Sequence, residues 1–359
     1  MRRQILITVI VVLSTAFAGC VREPAPNRQQ ANYLERVGRV LEQDSQPWRV
    51  EQLTRYRPPA RRELVQPMPE LRLGLLDLLV DSRDCGPLQQ LIAERNSSLG
   101  KVMAQSTLLG FEGELLRAIG QCLAVIADDP ARASLAEDLS RIASIKREHL
   151  HRRFWNALGG SEAFTQFVRF DAQPLPLSEA SLSNHAPIEA VEELATIGRS
   201  LPEVLPPARG ETEPLFAILA RDQRSGQLIH TLARLTHTLN QTTAMLRARP
   251  ANYLCPLGKP TERARVLLNV FTLFYAGEVQ PLMAQAQRLG EPWQAALNEL
   301  RQVPGAPPAM DEYLAQLVHP DDGLWADYKR SLAEHTEAWQ EVLGACHMRP
   351  GQPGWNDRR

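Results

Sequence analysis

The residues most suggestive of chemistry lie in "AERNSSLGKV", Ala93 to Val102, where Ser98 and Lys101 stand at Ser-x-x-Lys spacing. A lysine withdrawn from water has a lowered pKa and can take a serine proton, which turns the hydroxyl into a nucleophile. On a helix the two positions lie about 60° apart on the wheel and share a face, with Glu94 one turn earlier. A working acyl-transfer site of this type also needs a Ser-x-Asn and a Lys-Thr-Gly element on a sheet. Neither follows; Lys259-Pro260-Thr261 is no substitute. The pair therefore reads first as a solvated polar face with a Glu94–Lys101 ion pair.

Arg95 raises a sharper question. On the same wheel it falls inside an apolar stripe of Leu88, Leu91 and Leu99. A buried guanidinium needs carboxylate or carbonyl partners, and Glu112 or Glu114 on a facing arm is the expected one. The alternative is an anion or small-ligand site built by Arg95 with Asn96 and Ser98. Further on, "IKREHLHRRFW", Ile145 to Trp155, mixes basic and aromatic residues. It reads as a solvated helix face or as a contact for anionic headgroups.

The histidines form no metal spacing. His149 and His151 point about 200° apart on a helix. His230 and His237 share a face, but seven residues separate them by about 10 Å. No glycine-rich phosphate loop and no Gly-x-Ser-x-Gly elbow is present. With 40 basic and 41 acidic residues the formal charge is −1, which leaves no electrostatic footprint for nucleic acid. No cofactor, metal or nucleic-acid partner is expected.

The elements that must position these residues are helices. The chain has 359 residues, 44% hydrophobic and 23% charged, ordinary for a folded globular body. Tyr33, Val37, Val40 and Leu41 recur at helical spacing, and residues 44–70 are proline-rich and mostly irregular. One short helix carries Leu71, Leu75, Leu78 and Leu79. The next is lined by Leu88, Leu91, Ile92, Leu99, Val102 and Met103. Ser106 then caps a helix with the stripe Leu108, Phe111, Leu115, Ile119, Cys122 and Ile126. Another follows Asp129-Pro130, with Leu135, Leu139, Ile142 and Ile145.

Residues 167–208 read as a proline-rich linker holding one helix, roughly Ile188 to Arg199, and Gln166 to Phe170 is the only extended piece expected. Glu211 to Arg249 reads as one long helix whose Leu228, Leu232, Leu235, Leu239, Thr242 and Leu246 step like a coiled-coil seam. A helix from Thr261 should kink or break at Pro281. Glu291-Pro292 should start another, and Leu324 to Leu343 forms the last. The expectation is an all-α, mostly antiparallel bundle-like body of about ten helices with proline-rich irregular connections.

The N-terminus "MRRQILITVIVVLSTAFAGC" has a basic pair, an apolar core and small residues, the pattern of a secretory signal peptide. Phe17-Ala18-Gly19-Cys20 resembles the bacterial lipobox, with Phe17 in place of leucine. That resemblance implies cleavage of residues 1–19 and acylation of Cys20, hence a lipid-bilayer anchor. The chain then divides into a tether (20–32), a helical body (33–348) and a disordered tail (349–359). The body is either one piece or two lobes, about 71–170 and 211–346, joined by the linker. Without Cys20, four cysteines remain in an oxidising compartment, an even number that allows three disulfide pairings. Order along the chain favours Cys85–Cys122 and Cys255–Cys346; four buried free thiols is the alternative.

With these features in place, the segments "NYLERVGRVL", "RRELVQPMPELRLGLLDLL", "DCGPLQQLIAERNSSLGKVMAQS" and "GQC" resemble an uncharacterised family of Gram-negative bacterial lipoproteins, a domain of unknown function. The resemblance runs from about Tyr33 to Cys346 and implies a lipoprotein address, with no activity to transfer. Sorting rules of such lipoproteins place a chain with Val21 rather than Asp after the cysteine at the outer membrane. The expected protein is a periplasm-facing outer-membrane lipoprotein acting as a non-catalytic scaffold, adaptor or binding module, with an envelope protein as a possible partner. The alternatives are a cell-envelope hydrolase or transferase using Ser98 and Lys101, and a small-ligand or anion receptor around Arg95.

Overall fold

The computed structural model describes residues 23–69, 82–177 and 184–355. Among the described residues there are no strands, and thirteen α-helices run to seven residues or more. They are α1 (Ala25–Leu41), α2 (Gly86–Asn96), α3 (Gln105–Ile126), α4 (Ala133–Glu148), α5 (Leu150–Gly159), α6 (Glu162–Val168), α7 (Ala186–Ser200), α8 (Arg209–Leu219), α9 (Arg224–Arg247), α10 (Glu262–Val270), α11 (Gln280–Arg301), α12 (Pro308–Val318) and α13 (Leu324–Ala345). The all-α class stands as expected. Cys20 and the expected helix at Leu71–Leu79 lie outside the described residues.

The centre of the fold is α9. Its seam residues Leu228, Leu232, Leu235 and Leu239 are fully buried, and α1, α6, α11 and α13 pack against it. Enclosure on several sides also buries polar positions of the same helix: His230, Thr231, Arg234, Thr238 and Thr243. Each must find a partner or lose about 1–3 kcal/mol. Thr231 Oγ1 accepts from Leu175 N at 2.9 Å, and His230 Nδ1 meets Asp171 O at 3.0 Å. The strap after α6 is thereby laid along α9. Close approach requires Gly226, where a Cβ would fall 2.5 Å from Arg169 O.

Several expectations need correction. The tether was read to residue 32, but α1 begins at Ala25 and buries Pro26, Asn27 and Gln30. Polar residues there misled because they face a polar helix, not solvent. Residues 211–249 are two helices, α8 and α9; Asp222 breaks them by accepting from Arg224 N and Ser225 N. Gln166 to Phe170 is not extended, since α6 runs to Val168 behind its Ser161 cap. Ser106 is not a cap, because α3 starts at Gln105 after Ala104. The described part of the tail, residues 349–355, folds back on the body, with Gly354 N bonded to His347 O at 3.0 Å.

The proline rules also gave way locally. Between α10 and α11 the chain widens into a π-helix, Phe271–Val279, which ends just before Pro281. A proline ring collides with the carbonyl four residues back; shifting the ladder by one residue lets the rod continue. Pro292 starts no helix and lies inside α11, whose Trp293, Leu297 and Leu300 are fully buried. Burying that face offsets the roughly 3 kcal/mol of one interior proline. The rod Glu262–Arg301 is long and apolar enough to cross a membrane by length and composition, but Leu267, Val279, Leu282 and Trp293 belong to the core.

Within the proline-rich stretch 167–208 the one described helix is part of the common core. This helix, α7, buries Ile188, Val191 and Leu194 in the same core cluster as the rest and packs on α8 and α11. Pro187 sits at its first turn, where a missing N–H is harmless. Both disulfides form in the expected pairing, Cys85–Cys122 and Cys255–Cys346, with Cα separations of 5.2 and 5.3 Å.

Candidate functional site

The helix expected through Ser98 breaks at Ser97, whose hydroxyl accepts from Gly100 N at 3.0 Å. The chain folds back so tightly that a Cβ on Gly100 would lie 2.0 Å from Glu94 O. Leu99 and Val102, expected in a buried stripe, are therefore 82% and 78% exposed. Ser98 and Lys101 are both exposed on this short turn. Glu94 does not pair with Lys101; its two oxygens take the Arg209 guanidinium, Nη2 at 3.1 Å. Among the described residues nothing around the pair supplies a desolvated base. We expect the double variant Ser98→Ala, Lys101→Ala to change the unfolding free energy by less than about 0.5 kcal/mol in urea titration. A loss above about 1 kcal/mol would expose a contact this geometry lacks.

Arg95 is half-buried and donates to Gly100 O, closing the same turn. The expected carboxylates are taken by others. Glu112, 3% exposed, accepts from Lys146 Nζ at 2.6 Å and faces Arg153 Nε at 3.8 Å. Glu114 binds Arg209 through its backbone N at 2.8 Å and Nε at 2.9 Å. Asn96 Nδ2 donates to Ile92 O at 2.7 Å. Arg95 and Asn96 thus stabilise a turn through these bonds. The basic segment Ile145–Trp155 is likewise not a solvated face, since Lys146 and Arg153 point inward to Glu112 and Arg152 donates to Pro67 O.

The feature that does assemble is a cleft of about 630 Å³ between α1, the segment Asp44–Val50 and α9. That volume falls in the range of small-ligand sites. Two bonds clamp the segment onto α9: Gln46 N donates to Gln241 Oε1 at 3.0 Å, and Gln46 O lies 2.9 Å from His237 Nε2. They bring Trp48 over the helix, its ring centroid 5.5 Å from His237 and 6.4 Å from His230. At the other wall Arg234 Nη2 binds Glu23 Oε1 at 2.9 Å and Asn27 O at 3.0 Å.

The tautomers follow from these partners. A backbone carbonyl only accepts, so His230 carries its proton on Nδ1 and His237 on Nε2. Burial pushes both imidazoles below their ordinary pKa, so His230 presents a bare lone pair at Nε2. That atom has no hydrogen-bond partner among the described residues. Neither has Asn27 Oδ1 nor Trp48 Nε1, and all three belong to residues lining this cleft. Buried polar groups are nearly always satisfied, so three unsatisfied atoms on residues that line one cleft mark a place for an outside hydrogen-bonding group. Each histidine already engages a backbone carbonyl, and among the described residues no group of three His, Cys, Asp or Glu is arranged to hold a metal ion.

Sequence reasoning missed Trp48, Asn27 and Arg234. Arg234 was findable by the argument applied to Arg95, because it interrupts a leucine seam between Leu232 and Leu235. Trp48 was a lone aromatic in a proline-rich stretch. Asn27 carried no signal.

A second polar cluster is sealed inside the core. His335, fully buried, places Nε2 at 2.9 Å from Tyr33 Oη and at 3.1 Å from Trp339 Nε1, while Nδ1 faces Thr243 Oγ1 at 3.2 Å. Trp339 Nε1 also donates to Tyr33 Oη at 2.9 Å, and burial favours the neutral imidazole over the charged one. Burial holds its pKa down at about 3. Its polar atoms are satisfied internally, which makes this a structural network.

A family model described as "Protein of unknown function (DUF3080)" matches residues 30–350. No curated protein and no solved structure matches the chain.

Proposed function

The chain belongs to that family of unknown function, and from this premise we propose that it is a lipid-anchored, periplasm-facing protein of the outer membrane whose helical body is a non-catalytic binding module. Its ligand site is the cleft between α1, Trp48 and α9. The observation that carries the reading is the set of unpartnered buried atoms on one cleft: Asn27 Oδ1, Trp48 Nε1 and His230 Nε2. The address rests on Arg2, Arg3, the apolar run and Phe17-Ala18-Gly19-Cys20. Site and anchor are neighbours, because Glu23, on the cleft wall, lies three residues after Cys20. Three residues span at most about 11 Å, so an acylated Cys20 would hold the cleft close to the bilayer surface.

Two measurements in cells test this. Cys20→Ser should move the chain from the membrane fraction to the soluble periplasm; retention in the membrane overturns the anchor. A photo-crosslinking residue in place of Val50, 59% exposed on the cleft rim, should give an adduct that Trp48→Ala abolishes. No adduct, or one indifferent to Trp48→Ala, overturns the cleft as the binding site.

A further inference from the structure

The cleft's own chemistry narrows what it can hold, an inference that rests on reading it as the binding site. Its unpartnered atoms are two acceptors, Asn27 Oδ1 and His230 Nε2, and one donor, Trp48 Nε1. A group that both donates and accepts satisfies such a mixed set, and a hydroxyl does so.

Charge disfavours the obvious competitors. The Arg234 guanidinium is held at Nη2 by the Glu23 carboxylate and the Asn27 carbonyl, so among the described lining residues the cationic charge is already paired. Two bare acceptors would also repel an anion. An ammonium ion would need a free carboxylate; Glu23 is engaged with Arg234, and Glu35, on the rim, is paired with Arg39. The remaining wall is apolar: Leu34 is buried and Trp48 is half-buried, leaving part of the indole surface open. An indole face beside hydroxyl-satisfying atoms suits the alternating C–H and O–H surface of a sugar ring.

We propose that the cleft is a glycan-binding site that takes an uncharged pyranose ring against Trp48. Ring hydroxyls donate to Asn27 Oδ1 and His230 Nε2, and one accepts from Trp48 Nε1.

The test is isothermal titration calorimetry on the full chain carrying Cys20→Ser. Neutral oligosaccharides, β-1,4-linked N-acetylglucosamine dimers to tetramers and cellobiose, are compared with inorganic phosphate and tetramethylammonium. At least one neutral oligosaccharide should bind and the two ions should not. Trp48→Phe keeps a ring and removes the indole N–H; His230→Asn keeps a donor for Asp171 O and removes Nε2. Each should weaken binding about fivefold, the value of one net hydrogen bond, and Trp48→Ala more than about tenfold. Circular dichroism and the urea midpoint verify that each variant is folded. Sugar binding unchanged in both conservative variants overturns the assignment to this cleft. Binding of phosphate or tetramethylammonium in place of sugar overturns the ligand class and leaves the cleft as a binding site. Failure of every probe while Val50 still crosslinks through Trp48 overturns the glycan class alone; failure of both removes the binding-site reading as well.

Discussion

Replacing Cys255 and Cys346 together by alanine will lower the stability of the chain by about 4–5 kcal/mol and its Tm by about 6 °C. The bond joins residues 91 apart in sequence. In the chain-entropy account, stabilisation grows with the logarithm of the loop that the cross-link closes in the unfolded chain, so this loop outranks the 37-residue separation of Cys85–Cys122 by about 0.8 kcal/mol. Location adds to the effect. Cys346 caps the C-terminus of α13 and is fully buried, while Cys255 follows the short helix Ala251–Leu254. The bond therefore fastens the end of α13 to the turn that leads into α10. Thermal unfolding of oxidised wild type, reduced wild type and the double variant will check this. A loss below about 1 kcal/mol would show that helix packing alone closes the loop.

The second large effect is acid sensitivity set by His335. The folded pKa of about 3 lies below the ordinary imidazole value near 6.5, so between those values the unfolded chain binds the proton and the folded chain does not. Stability then falls as pH drops below about 6.5 and continues to fall toward pH 3. Between pH 7.5 and pH 5 the cost is about 2 kcal/mol from this one residue. His230 and His237, both depressed by burial, act in the same direction. The carboxylates held low by arginines, Glu42 and Asp84 among them, lose their partners' help only at lower pH. The window from 7.5 to 5 therefore isolates the histidines. Urea unfolding across it should show the midpoint falling, and His335→Gln, which keeps an acceptor for Tyr33 and Trp339, should flatten the slope. A wild-type midpoint constant to pH 5 would show that the imidazole is not held neutral.

Much of the architecture was legible because helical burial is written locally. Leu228, Leu232, Leu235 and Leu239 announce α9 by spacing alone, and all are buried. Cys85 and Cys122, paired by their order along the chain, meet as expected. Where the reading failed, a short-range competitor had overridden the period. The Ser97 hydroxyl stopped a helix that the stripe continued through, which exposed Leu99 and Val102. Asp222 split another. The prolines misled in the opposite sense, because a π-helical turn and a fully buried face carried the rod past Pro281 and Pro292.

The site divides along the same line. From the sequence by itself came the helical segments, the seam that makes α9 central and a pairing of four cysteines. Those depend on residues within a few turns of one another or on simple order along the chain. Only the tertiary structure decided which polar residues face one another. His230 owes its tautomer to a carbonyl 59 residues away, and Arg234 is neutralised by a carboxylate 211 residues away. A buried polar atom has meaning only through what surrounds it, and that surrounding is made by chain packing. Attention therefore moved from Ser98, Lys101 and Arg95, suggestive in spacing but bonded into a surface turn or exposed, to Asn27, Trp48 and His230, which no spacing joined.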